Sequence, residues 1–147
     1  MKVAVLSGGI GGERQVSLQS GRCVAEALTA GGVDVVPSDI SPDDLSVLDR
    51  TDIDVFFLAL HGEFGEDGRL QQILEDRKLA YTGSGPEASR LAFDKGKSKE
   101  RFAGAGVTVA PTVLCDAQSS EKDLLAELQA LGQRFVIKPI RQGSSVG

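Results

Sequence analysis

The sequence predicts an α/β protein: an open, mostly parallel sheet followed by a shorter α+β segment. Through residue 94, short apolar runs alternate with helical segments, the pattern of parallel strands joined by crossover helices. The strongest run, Val55 to Leu60, is apolar at every position, as a strand buried on both faces requires. Glycines cluster where these runs end, at 8–12, 62–68 and 83–85, with a further group at 143–147. The 147 residues are 41% hydrophobic and 25% charged, which matches soluble globular domains; the length fits one domain, or one and part of another.

Each element has a local reason. Lys2–Leu6 reads as a strand feeding the Gly8-Gly9 turn. Ser17 is placed to cap a helix through about Ala30, with Val24 and Leu28 one turn apart and Gly31-Gly32 as its stop. Val33–Pro37 is a second strand and Val55–Leu60 a third. After the His61–Gly68 loop, Leu70, Ile73 and Leu74 share one face of a helix. Leu79–Thr82 is a short fourth strand, and Pro86 opens a helix to about Asp94. Beyond it, Lys95–Ala103 is a lysine-rich helix closed by Gly104 and Gly106, and Val107–Cys115 is extended around Pro111. Ser120 caps a helix carrying Leu124, Leu128 and Leu131, which Gly132 ends, and Arg134–Lys138 is a strand entering the 140–147 loop. One helix pair and two strands make a thin core, so 95–147 is expected to be an incomplete unit beside a complete 1–94 domain.

The net charge of −5 hides an asymmetry: residues 1–94 carry 8 basic and 16 acidic side chains, residues 95–147 carry 8 and 5. The acidic part repels nucleic acid, and the few aromatics, six Phe and one Tyr, offer little for bases to stack on. The basic part suits a small polyanion such as a nucleotide, or is simply a solvated lysine surface. No apolar run approaches the roughly 20 residues of a membrane span, and no signal-peptide pattern follows Met1-Lys2. Cys23 and Cys115, far apart and without C-x-x-C spacing, read as reduced thiols of a cytoplasmic protein. One His and two scattered Cys argue against structural zinc.

Four motifs carry candidate chemistry. Gly8-Gly9-Ile10-Gly11-Gly12-Glu13 follows the first strand, where open α/β sheets bind phosphate, but Arg14 stands where a dinucleotide fingerprint needs its third glycine. Glu13 at the helix mouth competes with a phosphate and invites an ammonium group; the alternative is a carboxylate that only complements the helix dipole. His61 follows the third strand, at the edge where ligands gather, or is a hydrogen-bonded structural histidine. Glu63, Glu66 and Asp67 lack calcium-loop spacing, and Asp67 reads better as a helix cap. Gly96-Lys97-Ser98 is no Walker A loop, because position 91 is Leu and no strand precedes it. The final stretch, Lys138 to Gly147, sets a lysine at a strand end beside a Gly-Ser loop, a phosphate cradle. It also satisfies G-x-S-x-G around Ser145, but the hydrolase elbow needs a following helix and a later His.

In order along the chain, five stretches resemble the D-alanine–D-alanine ligases of the ATP-grasp superfamily. They are Leu6–Gly9 with Glu13–Gly21; Ala59-Leu60-His61-Gly62 with Gly65–Gln71; Tyr81-Thr82-Gly83-Ser84-Gly85; Asp94-Lys95 with Ser98-Lys99; and Lys138-Pro139 with Arg141 and Gly143–Gly147. The resemblance runs through the whole chain but covers only about the first half of such a ligase. It implies a Rossmann-like, pre-ATP-grasp domain over 1–94 and the truncated start of the ATP-grasp domain over 95–147. It further implies that Glu13 holds the ammonium of the first D-alanine, that Ser144 hydrogen-bonds toward Glu13, and that His61 lies beside the first substrate. Lys95 and Lys138 are implied on the ATP phosphates, with Ser145 and the loop amides over the γ-phosphate. ATP and Mg²⁺ (or Mn²⁺) are the implied co-substrate and metal, with the metal ligands beyond residue 147, and the family pattern is a homodimer. Gln142 departs from the Glu of many relatives, and Gly11-Gly12 from bulkier small residues. Two other readings are a nicotinamide-dependent oxidoreductase, with Asp39 on a ribose, and a catalytically dead binding module.

Overall fold

The computed structural model describes residues 1–142. Three parallel strands form the sheet: β1 (Lys2–Gly8), β2 (Asp34–Ile40) and β3 (Val55–Leu58), in the order β2-β1-β3. Helix α1 (Arg14–Ala30) joins β1 to β2, and α2 (Arg69–Asp76) and α3 (Pro86–Phe93) follow β3. Then come α4 (Lys95–Gly104) and α5 (Glu121–Leu131). Alternation along β1 explains the layering. Val3 and Val5 face α1 with Ala25, Val24 and Leu28. Ala4 and Leu6 turn to the opposite face and join Ile40, Phe56, Leu70 and Leu74 in the larger core. Burial of both faces of β1 is what its unbroken apolar run encodes. Pro37 is tolerated because β2 is an edge strand of this sheet.

The chain leaves β1 to build β2 on one side, then crosses to build β3 on the other. That reversal makes a topological switch point at the carboxyl ends of β1 and β3, the place where open α/β sheets open a ligand crevice. The Gly8–Glu13 loop and the His61–Gly68 loop both leave the sheet there.

Several local expectations are corrected. Ser17 lies inside α1, and Glu13 takes the cap position. The reason is tertiary: the fully buried Ser17 hydroxyl accepts from the Gly8 N–H at 2.8 Å and donates to the Ala59 carbonyl at 3.0 Å, tying the ends of β1 and β3 to α1. β3 stops at Leu58, and Leu79–Thr82 is no strand of its own. It pairs with Phe56 alone, through Phe56 N–H to the Ala80 carbonyl (2.9 Å) and Thr82 N–H to the Phe56 carbonyl (3.0 Å), before Gly83 turns away at φ +104°. A 3-10 turn over Ser46–Asp49, unpredicted, places Leu48 in the core. Arg134–Lys138 forms no strand: no described segment pairs with it, and Val136 and Ile137 are 77% and 82% exposed. Ser120 does precede α5, and Gly132 ends it at φ +114°.

Candidate functional site

Glu13 is the centre of the switch-point crevice. It caps α1 yet makes no side-chain capping bond, and it is only 6% exposed. No terminal amide of α1 takes up the carboxylate, which is not the arrangement of a carboxylate that serves the helix end alone. The opposing wall is Gly62, at φ +69°, where a Cβ would lie 2.5 Å from Glu13 Oε1. Glycine suits position 62 for its left-handed backbone, and a side chain there would push the Glu13 carboxylate aside.

Around this pair the loops are pinned. Arg14 grips Asp39 with both nitrogens (2.8 and 2.6 Å) and reaches the Gly9 carbonyl at 3.2 Å, so the glycine loop is fastened to the end of β2. Glu66 accepts the Gly62 N–H at 2.8 Å, and its other oxygen lies 3.8 Å from His61 Nδ1. On the far side of the ring, Ser20 Oγ is 2.9 Å from His61 Nε2. Ser20 sits seven residues after Glu13, two helical turns along one face of α1, and that spacing is the signal by which sequence alone could have found it. Phe64 is held at φ +71°, a rare conformation for a bulky residue, by burial and by its N–H on Asp67 at 2.9 Å. Asp67 also accepts the Arg69 N–H at 3.0 Å, so it serves α2 from just outside the cap, which is Gly68. Burial pushes the Asp67 carboxyl up, but the Arg69 side chain and the two amides outweigh it and hold the group below its ordinary value.

The second segment approaches the same crevice. Asp94 caps α4 by accepting the Lys97 N–H at 3.1 Å and pairs with Arg141 at 3.0 Å. Lys95 donates to the carbonyls of Pro139 (2.9 Å) and Gln142. Arg141 and Gln142 thereby help enclose a cavity of about 90 Å³ with Glu13, Glu63 and Phe93. The structure thus brings Glu13, the His61-Gly62 turn and the loop after Lys138 to one place, with Lys95 as the tie. Lys138 itself is exposed, and Ser144 and Ser145 lie outside the described residues. Among the described residues no group of three His, Cys, Asp or Glu side chains could hold a metal ion, and no helix is long and apolar enough to cross a membrane.

Fold and site together define a class: an α/β domain with a carboxylate-bearing, largely buried residue, Glu13, at the switch point of its parallel sheet. Residues 43–84 match the family described as D-ala D-ala ligase N-terminus. Over 147 residues the chain is 48% identical to the D-alanine–D-alanine ligase of Geotalea uraniireducens, covering 99% of this chain and 46% of that one. It is 46% identical to that of Pseudomonas entomophila, with 99% and 45% covered. The crystal structure of the Bacillus anthracis ligase superposes with a TM-score of 0.82 at 34% identity, over 100% of this chain and 48% of that one. The same ligase complexed with ATP gives 0.75 at 31%, over 87% and 43%. Along its length the chain is similar to the amino-terminal half of D-alanine–D-alanine ligases. It spans about half the length of the curated relatives it matches, the amino-terminal half.

Proposed function

We propose that this chain supplies the first-substrate site and part of the nucleotide site of an ATP-dependent ligase that joins two D-alanines, as in peptidoglycan precursor synthesis. The buried Glu13 carboxylate against Gly62 carries the reading, because it is shaped and charged for an ammonium group. Glu13 holds that ammonium, and His61, fixed between Ser20 and Glu66, lies beside the same substrate. The substrate carboxylate takes the γ-phosphoryl of ATP to form an acyl phosphate; the amine of the second D-alanine attacks its carbonyl carbon, and phosphate leaves. Positioning and charge neutralisation dominate such chemistry, so lysines and loop amides are its natural instruments.

Lys138 reaches the ATP phosphates in this proposal, with Ser144 and Ser145 in the loop over them. Lys95 also takes a phosphate, exchanging its two carbonyl partners for the oxygens. The Mg²⁺ ligands of this proposal lie beyond residue 147, and no step is assigned to a metal held by the described residues. A homodimer in the cytoplasm completes the proposal.

The test is phosphate release by this chain continued with the carboxyl half of the Geotalea relative. Release is expected only with both D-alanine and ATP, and none from the 147 residues alone. Glu13→Gln is expected to raise the KM for the first D-alanine about 10–100-fold, the worth of one charge-assisted contact. An unchanged KM would overturn the role given to Glu13.

A further inference from the structure

We infer that Ser20 is a positioning residue for His61: its hydroxyl, with Glu66 on the other side of the ring, fixes which imidazole nitrogen carries the proton. His61 is the single histidine of the chain, and both of its nitrogens face polar groups. Ser20 Oγ lies 2.9 Å from Nε2, and Glu66 Oε1 lies 3.8 Å from Nδ1. A serine inside a helix ordinarily bonds a carbonyl of the preceding turn or points to water. Among the described residues the half-buried Ser20 hydroxyl bonds only this ring, 41 residues away in the chain. The consequence for substrate binding rests on the ligase reading; the placement of the proton does not.

Glu66 decides the side of the ring that holds the proton. Its Oε2 accepts the Gly62 N–H at 2.8 Å, which keeps the carboxylate beside the imidazole. A lone pair on Nδ1 would set acceptor against acceptor, whereas an N–H there is attracted. At 3.8 Å this is a Coulomb bias rather than a hydrogen bond. In the neutral ring one nitrogen donates and the other accepts. With the proton on Nδ1, Nε2 accepts, and the 2.9 Å contact is the Ser20 O–H donating to it. Turning the ring over would set Cε1 against the serine oxygen and forfeit that bond, so the same contact holds the ring plane. A ring fixed in rotamer and tautomer leaves less ordering to be done when a ligand binds beside it. Because α1 carries both Glu13 and Ser20, one helix places the carboxylate and orients the imidazole.

The first test is the long-range ¹H–¹⁵N spectrum of the one imidazole, recorded at alkaline pH on the ¹⁵N-labelled 147-residue chain without a histidine tag. Nδ1 is expected at the protonated-type shift and Nε2 at the unprotonated type, in the parent chain and in Ser20→Thr. Ser20→Ala should move both nitrogens to intermediate shifts. Glu66→Gln should reverse the pattern, because its amide oxygen keeps the Gly62 N–H and its NH₂ then meets Nδ1. The Val3 and Val5 amides are the fold control. A parent ring protonated on Nε2, or a Ser20→Ala spectrum like that of the parent, overturns the proposal. The second test uses the chain continued with the carboxyl half of the Geotalea relative. There Ser20→Ala should raise the KM for the first D-alanine about 3–10-fold, the worth of one hydrogen bond, with the KM for ATP unchanged and Ser20→Thr restoring it. A fall in kcat at unchanged KM is what lost folding alone would give, and it overturns the positioning role. An unchanged KM in Glu13→Gln would instead overturn the ligase reading and leave the tautomer standing.

Discussion

Residues 1–94 and residues 95–142 are equally legible as helices and loops, yet they are built on different terms. The first part closes two apolar faces over a sheet, with Phe56, Leu6, Leu70 and Leu74 at 1% exposure or less. The second has no buried residue in either α4 or α5, and Phe102, Leu125, Phe135 and Ile137 are 47–82% exposed. What holds it near the crevice is polar: Asp94 with Arg141, and Lys95 with two carbonyls. A region with a core positions its side chains by packing, whereas a region without one is placed by a few hydrogen bonds. Among the described residues, Glu13 and the His61-Gly62 turn are therefore placed by the packed sheet, and the 139–142 segment by its hydrogen bonds.

The same substitution in the two regions breaks the comparison most sharply. Phe56→Ala removes a fully buried ring and should cost about 3–5 kcal/mol in urea unfolding; Phe102→Ala, at an exposed site, should stay within about 0.5 kcal/mol. Equal losses would mean that the second segment is as well packed as the first. Ser17→Ala ranks next, at about 1–3 kcal/mol, because it strands the Gly8 amide and the Ala59 carbonyl. A cost near zero would show that the strand ends are held without it. Gly62→Ala follows, at about 1–2 kcal/mol for a side chain in the left-handed region. It should also shift the Glu13 side-chain resonances, since the new methyl falls on the carboxylate.

The smallest effect concerns the junction. The Lys97 amide first, and Arg141 after it, hold the Asp94 carboxyl below its ordinary value of 3.8, against the opposing pull of desolvation. A depressed value in the folded chain means that the ionised form favours folding. This contribution is complete above the unfolded value and is lost as pH falls through the folded one. Hydrogen exchange in α4 should therefore rise selectively in acid, and Asp94→Asn should remove that dependence while leaving β1 unchanged. A parallel rise in β1 would make the junction part of the core.

Much of this was legible beforehand, for physical reasons. The apolar run Val55–Leu58, the glycine stops and Pro86 at a helix start are local choices, and local sterics decide them. Glu13 and His61 could be singled out because strand ends at a glycine turn are where open sheets expose a crevice. Ser17 could not be read correctly: a serine four residues into a helix looks like a cap unless the Gly8 amide and the Ala59 carbonyl, 42 residues away in the chain, are already in view. Arg134–Lys138 failed in the opposite way. Its β-branched and aromatic residues favour a strand, but a strand also needs a neighbour.

Sequence by itself determined the alternation of strands and helices, the apolar faces and the residue types offered at the sheet's carboxyl edge, since these follow from periodicity and backbone preference within a few residues. Only the tertiary structure decided that β1 lies between β2 and β3, that Gly62 closes on Glu13, and that Ser20 and Glu66 flank His61. Those are contacts between groups brought together by long-range pairing, and their free energy exists only once the sheet has formed.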